Sequence, residues 1–385
     1  MSRPVALAVA ALVALVGLTG GAGAEPPRLE RNLAGSIQLD YLAVPTAPRP
    51  RDVVLDGATV EVSLKLAMSY GDHLAAGVKV CVTCHGIETG MALLDVRVAD
   101  PLTIRLGRFT PAFGAFPLRH DPANHRTSDK PLPYDMGRMV RYREWNHGVL
   151  PAPWVDNGVE LAGAVALGAR VHLDYAAYAI GGPRGDAAAA DFDYKLSRTP
   201  ERYYVDNNSE PTVGGRLAAT IELGGSGDLL LGASAMAGRY DPDARLGFVV
   251  LGADATVQAG GVFVRAEYLV RRTELALGES PMTRFKYGPG PDGRFADFVV
   301  RDGFYAEVEV PVGRVDLIAR WDGLRHLGNV LATSPLRAES LVLRYTAGGS
   351  IRLYGNLRVK TSVEAYDFSD FADAVATHVG VAGPF

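Results

Sequence analysis

The sequence predicts an all-β protein, an antiparallel transmembrane β-barrel of about 16 strands with a long inward-folding loop. Three observations predict it: an export signal at the start of the chain, an apolar–polar alternation of period two, and connections that alternate between short and long. The 385 residues are 48% hydrophobic and 21% charged, a balance that excludes wholesale disorder. No apolar run after the first segment reaches the roughly 20 residues of a membrane-spanning helix.

The first segment of the chain has the pattern of an export signal. Arg3 gives a positive start, residues 5–18 form an apolar run, and Ala22-Gly23-Ala24 is a small-residue cleavage site. A membrane anchor is the alternative, but this run is short for a membrane span. We therefore predict a signal peptide at residues 1–24 and one mature domain, the barrel, at residues 25–385.

Alternation of apolar and polar residues predicts the strands. Because residues i and i+2 share one face of a strand, each segment has one apolar and one mixed polar face. Predicted lengths of roughly 10 to 14 residues exceed those of ordinary strands and suit a bilayer. The alternating segments are 60–66, 102–106, 159–165, 171–178, 308–317, 341–345 and 351–359.

The connections between these segments alternate in length. Short turns on one rim and long loops on the other are typical of outer-membrane barrels. Pairing the segments predicts sixteen strands, provided that residues 73–81 also form a strand. The predicted short turns are 99–101, 167–169, 224–227, 259–261, 311–313 and 347–349. The predicted long connections are 110–156, 181–211, 275–302 and 324–336.

The end of the chain supports the same class. Val379, Val381 and the terminal Phe385 alternate, which resembles the C-terminal signature of outer-membrane barrels. The expected location is the bacterial outer membrane, the expected partner is the lipid bilayer, and the class allows an oligomer. The net charge of −4 and the lack of a sustained basic stripe argue against a nucleic-acid partner.

Both cysteines of the chain fall in one motif, Cys-Val-Thr-Cys-His at residues 81–85. CxxCH is the attachment motif of c-type haem, in which Cys81 and Cys84 would bond the porphyrin and His85 would bind the iron. This attachment needs an exported chain, which the signal peptide provides. We predict one covalent haem c. A disulfide, a zinc site with a further ligand and an unused cysteine pair are the alternatives.

The second axial ligand of such a haem is usually Met or His. The segment after the fifth predicted strand is rich in both types. The predicted order of candidates is His125, then His120, then Met136. An open sixth position would instead favour binding of a small ligand or peroxidase-like chemistry.

The segment 116–154 mixes prolines, aromatic residues and charges, and so long a loop is usually functional or disordered. We predict that it folds into the lumen, narrows it and meets the haem; a solvated surface loop is the alternative. Its cations could pair with haem propionates, with an anionic solute or with carboxylates of the same loop. The cations are Arg119, Arg126, Lys130, Arg138, Arg141 and Arg143, and the carboxylates are Asp121, Asp129, Asp135 and Glu144.

Two family resemblances follow from these segments. Residues 102–114, Leu-Thr-Ile-Arg-Leu-Gly-Arg-Phe-Thr-Pro-Ala-Phe-Gly, resemble the entry to the constriction loop of phosphate-selective porin O/P-type barrels, with Arg108 in place of the usual Gln. This resemblance implies a sixteen-stranded porin architecture. One CxxCH joined to one barrel resembles the fused monohaem cytochrome–porins that oxidise iron outside the cell, in which the haem motif precedes the first strand.

These observations favour a haem c protein of the outer membrane that transfers electrons at or across that membrane. One haem cannot bridge about 30 Å of hydrocarbon, so a periplasmic or extracellular cytochrome is the expected redox partner. The protein would be an electron carrier rather than a turnover enzyme. The alternative is a passive diffusion porin for small solutes, anionic ones among them, with a structural cysteine motif. A haem sensor or peroxidase-like enzyme is a third interpretation.

Overall fold

The computed structural model describes residues 28–43, 57–83, 86–119, 124–135, 148–197, 206–225, 227–354 and 357–385. The predicted signal peptide at 1–24 lies outside these residues. Among the described residues, no helix is long and apolar enough to cross a membrane. The helical segments there are single turns: α1 (Tyr194–Ser197), α2 (Pro281–Arg284) and two 3-10 segments, Pro117–Arg119 and Leu132–Tyr134.

Sixteen strands, all within the described ranges, form the sheet. They are β1 (Leu29–Ala43), β2 (Gly57–Tyr70), β3 (Leu74–Thr83), β4 (Gly86–Ala99), β5 (Leu102–Phe109), β6 (Asp156–Ala166), β7 (Val171–Ile180), β8 (Thr212–Gly224), β9 (Gly227–Arg239), β10 (Gly247–Ala259), β11 (Val262–Glu274), β12 (Phe298–Val312), β13 (Val315–Leu327), β14 (Glu339–Arg352), β15 (Arg358–Phe368) and β16 (Ala374–Pro384).

The sheet closes on itself. Every strand pairs antiparallel with its neighbours in the chain, and β1 pairs with β16 from Ser36↔Pro384 to Ala43↔Thr377. Closure gives hydrogen-bond partners to the backbone N–H and C=O groups at both edges of the sheet. A lipid bilayer could not supply those partners. The predicted transmembrane barrel and its strand number are therefore confirmed, and so is the conditional strand at 73–81, observed as β3.

Three details of the predicted strand pattern are wrong. The expected turn at 347–349 lies inside β14, where Gly348 and Gly349 pair with Ser362 and Thr361 of β15. The alternating segment 351–359 spans the actual turn between β14 and β15. At Gly348 a Cβ would overlap the carbonyl oxygen of Thr361, so these glycines allow close strand contact rather than a reversal. Likewise, 308–317 crosses the turn between β12 and β13.

The two rims of the barrel differ as expected. Connections that follow even-numbered strands, from 71–73 to 353–357, span two to five residues and form what we call the short-turn rim. Connections that follow odd-numbered strands form the long-loop rim and include 110–155, 181–211 and 275–297. β1 begins and β16 ends at the short-turn rim.

The two faces of the wall differ in polarity. Along each strand, large apolar side chains point outward, and Leu64, Val80, Leu251, Val308 and Trp321 are each 39% to 49% exposed. The alternate positions point into the lumen and are rich in buried charges, including Arg271, Arg320, Arg344, Lys360 and Glu364. This is the apolar-out, polar-in pattern of a barrel in lipid.

Candidate functional site

The longest connection of the barrel, residues 110–155 between β5 and β6, folds into the lumen. We call it the constriction loop; its described parts are 110–119, 124–135 and 148–155. Phe113, Phe116, Leu132 and Tyr134 belong to it and are almost completely buried against the inner wall. The predicted inward-folding loop is therefore confirmed.

Glu267 of β11 holds the first part of the constriction loop. Its carboxylate accepts hydrogen bonds from the backbone N–H groups of Ala115 and Phe116 at 3.2 and 2.7 Å. The hydroxyls of Tyr134 and Tyr305 donate to the same carboxylate, each at 2.5 Å. Burial and the neighbouring Glu267 carboxylate raise the pKa of Tyr134 well above its usual value, so this phenol stays protonated and donates.

Asp129 anchors the middle of the loop to β13 and β14. Arg320 donates two hydrogen bonds of 2.8 Å to its carboxylate, and Arg344 forms a second ion pair with it. Burial alone would raise the pKa of Asp129, but the Arg320 and Arg344 guanidiniums hold it below its usual range. Arg344 also donates to the backbone carbonyl of Lys130 at 2.6 Å, so both strands hold the loop.

Two cations of the loop, Arg119 and Arg126, also pair with the wall. Arg119 donates to the Tyr305 hydroxyl at 3.1 Å, and Arg126 lies 2.8 and 3.2 Å from carboxylates of Glu309 and Asp316. Of the partners that the sequence left open for the loop cations, carboxylates of the same loop are therefore not the observed partners of Arg119 and Arg126. Arg138, Arg141, Arg143, Asp121 and Glu144 lie outside the described residues.

The constriction loop covers one side of the lumen. The hydrogen bonds and ion pairs of its described parts reach β9 and β11 through β14, and also β1 and β6. We call the lumen-facing side of β1 to β5 the open wall. There the side chain of Arg105 is 32% exposed and that of Asp95 is 21% exposed, whereas Arg344 and Asp129 are 0% exposed. Water can therefore reach Arg105 and Asp95 of the open wall.

Cys81 lies on the open wall close to the long-loop rim. It pairs with Ser63 of β2 and Glu88 of β4, and the adjacent Val80 and Val82 point outward, so its side chain faces the lumen. The Cys81 Sγ packs against a bulge at Gly90, where an added Cβ would lie only 3.1 Å from it. This lumen-facing thiol fits the predicted haem attachment. Cys84 and His85 lie outside the described residues.

The structure does not bring the described axial candidate close to Cys81. The His125 ring stacks on Phe116, 4.9 Å between centroids, on the side of the lumen formed by β11 and β12. In a closed barrel of sixteen strands, β11 lies opposite β3. The neighbouring Arg126 contacts Asp316 near the short-turn rim, the other end of the barrel from Cys81. His120 and Met136 lie outside the described residues.

Sequence reasoning missed the residues that hold the loop. Glu267, Arg320 and Arg344 occupy lumen-facing strand positions, where a charge in an alternating segment is the only local signal. That signal shows that such residues face inward, but not which of them meet the loop. Within the described ranges, no group of three or more His, Cys, Asp or Glu side chains is arranged to hold a metal ion.

Comparison with known proteins supports the fold. No protein-family model matches the chain, and no curated protein matches it. Among solved structures, OmpF of Salmonella typhi with daunomycin has a TM-score of 0.57 and 11% identity over 92% of this chain and 97% of that chain. OmpT of Vibrio cholerae has 0.52 and 9% over 94% and 99%. The outer membrane channel DcaP of Acinetobacter baumannii has 0.51 and 11% over 93% and 97%.

Proposed function

We propose that the protein is a bacterial outer-membrane channel through which small hydrophilic solutes diffuse. The observation that carries this proposal is the one-sided attachment of the constriction loop. The described parts of the loop are held to β9 and β11 through β14, while Arg105 and Asp95 of the open wall remain accessible to water. A loop that narrows a lumen without filling it leaves a passage whose lining selects solutes by size and charge.

Two further observations support the outer-membrane location. The outward face of the wall is apolar, as lipid contact requires. The similar structures are described as an outer membrane protein of Vibrio cholerae and an outer membrane channel of Acinetobacter baumannii. One structure of that OmpT is a trimer form, which supports an oligomer here as well.

A conductance experiment tests the channel. Purified full-length protein in a planar bilayer should show discrete conductance steps in simple salt solution. With Cys81 and Cys84 replaced by Ser, Ala67→Cys on the open wall should make the steps sensitive to a charged thiol reagent. The matched control is Leu64→Cys, which points outward toward lipid. Folded protein without conductance steps, or equal sensitivity at both positions, would contradict the proposal.

The motif at residues 81–85 supports a second candidate function, electron transfer by one covalent haem c. The lumen-facing position of Cys81 favours this candidate. Cys81 and Cys84 would hold the porphyrin at the mouth of the lumen and His85 would bind the iron. When bound, the haem would supply a one-electron redox centre, and a cytochrome would be its redox partner.

Haem attachment can be tested without a channel assay. The protein should give a pyridine haemochrome spectrum of c type after extraction from membranes, and its intact mass should include one porphyrin. Cys81→Ser/Cys84→Ser should lose both signals while remaining a folded barrel. A wild-type mass equal to that of the bare mature polypeptide would rule out haem c and leave the cysteine motif with a structural role.

A further inference from the structure

We propose that a second loop in the lumen positions the constriction loop, and that Tyr194 is the positioning residue that joins the two. The second loop is the described part, residues 181–197, of the connection between β7 and β8. It holds the limb of the constriction loop that runs back to β6, residues 148–155, which we call the returning limb. The consequence for solute passage rests on the channel function proposed above.

Aromatic side chains fix the second loop inside the lumen. Phe192 and Tyr194 are only 4% and 1% exposed. The Phe192 ring lies edge to face with two others, 4.8 Å from Phe248 and 5.0 Å from Tyr240 between centroids. Phe248 is a lumen-facing residue of β10, since its neighbour Val249 points outward. The second loop therefore packs on the inner wall beside the long-loop rim rather than extending away from the barrel.

Two arginines of the wall hold the carboxylate of Asp191. Arg271 of β11 donates hydrogen bonds of 3.2 and 3.0 Å to its two oxygens, and the Nε of Arg301 in β12 lies 3.1 Å from it. The Arg271 guanidinium also lies over the Phe192 ring, 4.6 Å from the centroid. Charge-assisted hydrogen bonds to two buried guanidiniums thus fix the second loop in one place.

Tyr194 connects this anchor to the returning limb. Its hydroxyl accepts a hydrogen bond from Arg271 and donates one of 2.9 Å to the backbone carbonyl of Val149. Burial raises the pKa of Tyr194 to about 12, so the phenol stays protonated and can donate. Its ring also packs edge to face against Trp154, with 5.6 Å between centroids. One side chain thus joins the wall, the second loop and the returning limb.

The returning limb is paired with the middle of the constriction loop. Three of its backbone N–H groups donate to carbonyls of residues 133–135 at distances of 3.0 to 3.2 Å; they belong to Gly148, Leu150 and Ala152. The contacts made by Glu267 and Asp129 lie ahead of this limb in the chain. The Tyr194 contact is therefore a separate anchor. Without it, we expect the returning limb to open locally while the other two anchors remain.

Hydrogen exchange on the full-length protein in detergent tests this positioning role. Tyr194→Phe removes only the hydroxyl, and it should make the amides of the returning limb exchange roughly tenfold faster. Tyr240→Phe is the matched control, because its buried hydroxyl also lies beside Phe192 and donates to a backbone carbonyl, that of Glu274 at 2.6 Å. This control should leave the limb unchanged. Equal exchange in wild type and Tyr194→Phe, or equal acceleration in both variants, would overturn the inference.

The current through the channel gives a second readout. At an unchanged yield of folded barrel, Tyr194→Phe should raise the variance of the open-channel current at least about threefold, and Tyr240→Phe should not. Asp191→Asn should also raise it, and the double variant should match the stronger single variant, because both changes interrupt one chain of contacts.

The outcomes separate this inference from the channel function. Fully additive effects of Asp191→Asn and Tyr194→Phe would overturn the connection through Arg271. A steady current in Tyr194→Phe would overturn the consequence for passage. Faster exchange in Tyr194→Phe, together with a wild type that shows no conductance steps, would overturn the channel function and support the positioning role.

Discussion

At the scale of single residues, Glu267 is the point on which the entrance of the constriction loop depends. It accepts hydrogen bonds from two backbone N–H groups and two phenols. We expect Glu267→Gln to lower the free energy of unfolding by about 3 kcal/mol. The NH2 group of Gln can only donate hydrogen bonds, and the groups around this position are themselves donors, so some of them would lose their acceptor. Urea unfolding in detergent micelles measures this. Glu222→Gln, a half-exposed lumen position, is the control; equal losses in both variants would contradict the role of Glu267.

Asp129 gives the loop a defined pH dependence. Because its folded-state pKa is depressed by Arg320 and Arg344, the stability it contributes is fully present above its unfolded-state pKa near 4. That contribution is lost progressively as the pH falls from the unfolded-state pKa through the lower, folded-state pKa. We therefore expect a loss of stability below pH 4 in the wild type that is much smaller in Asp129→Asn. Unfolding curves between pH 7 and pH 2 test this; parallel curves would contradict it.

At the scale of elements, the attachment of the loop to β13 and β14 should behave as one unit. Asp129→Ala would leave Arg320 and Arg344 short of a partner, and Arg344→Ala would leave Asp129 and Asp322 with less compensation. Each change should cost about 3 kcal/mol of unfolding free energy. The double variant should cost clearly less than the sum, with a coupling of about 2 kcal/mol. Additive losses would contradict direct pairing.

The same elements show what a sequence can and cannot reveal. The period of two predicts strands because it depends on neighbours in the chain, and the length and composition of the constriction loop predict its entry into the lumen. The partners of the loop are different: Glu267 and Arg344 are 151 and 214 residues from the loop atoms they bind. Their meeting depends on closure and register of the whole barrel, which local pattern does not encode. The glycine pair at 348–349 gave a wrong turn prediction for a similar reason, since close contact between strands and turns both favour glycine.

At the scale of the whole molecule, every one of these contacts requires that β1 meet β16. The terminal residue completes that seam, because the backbones of Phe385 and Gly35 exchange two hydrogen bonds of 2.8 and 2.9 Å. The Phe385 ring lies over Gly35, where an added Cβ would overlap it. The seam therefore combines the ladder from Ser36↔Pro384 onward with one glycine–aromatic contact at its end.

This contact leads to a prediction about closure. Gly35→Val should impair folding into the closed barrel, because its side chain and the Phe385 ring need the same space. After refolding into detergent, closure is measured as the yield of the compact, folded band on a gel, which is lost when the sample is heated. Gly288→Val, in a loop where a Cβ would meet no atom within 4 Å, should fold normally. Adding Phe385→Ala to Gly35→Val should restore part of the yield. A double variant that folds no better than Gly35→Val would show that the ring is not what excludes a side chain at this position.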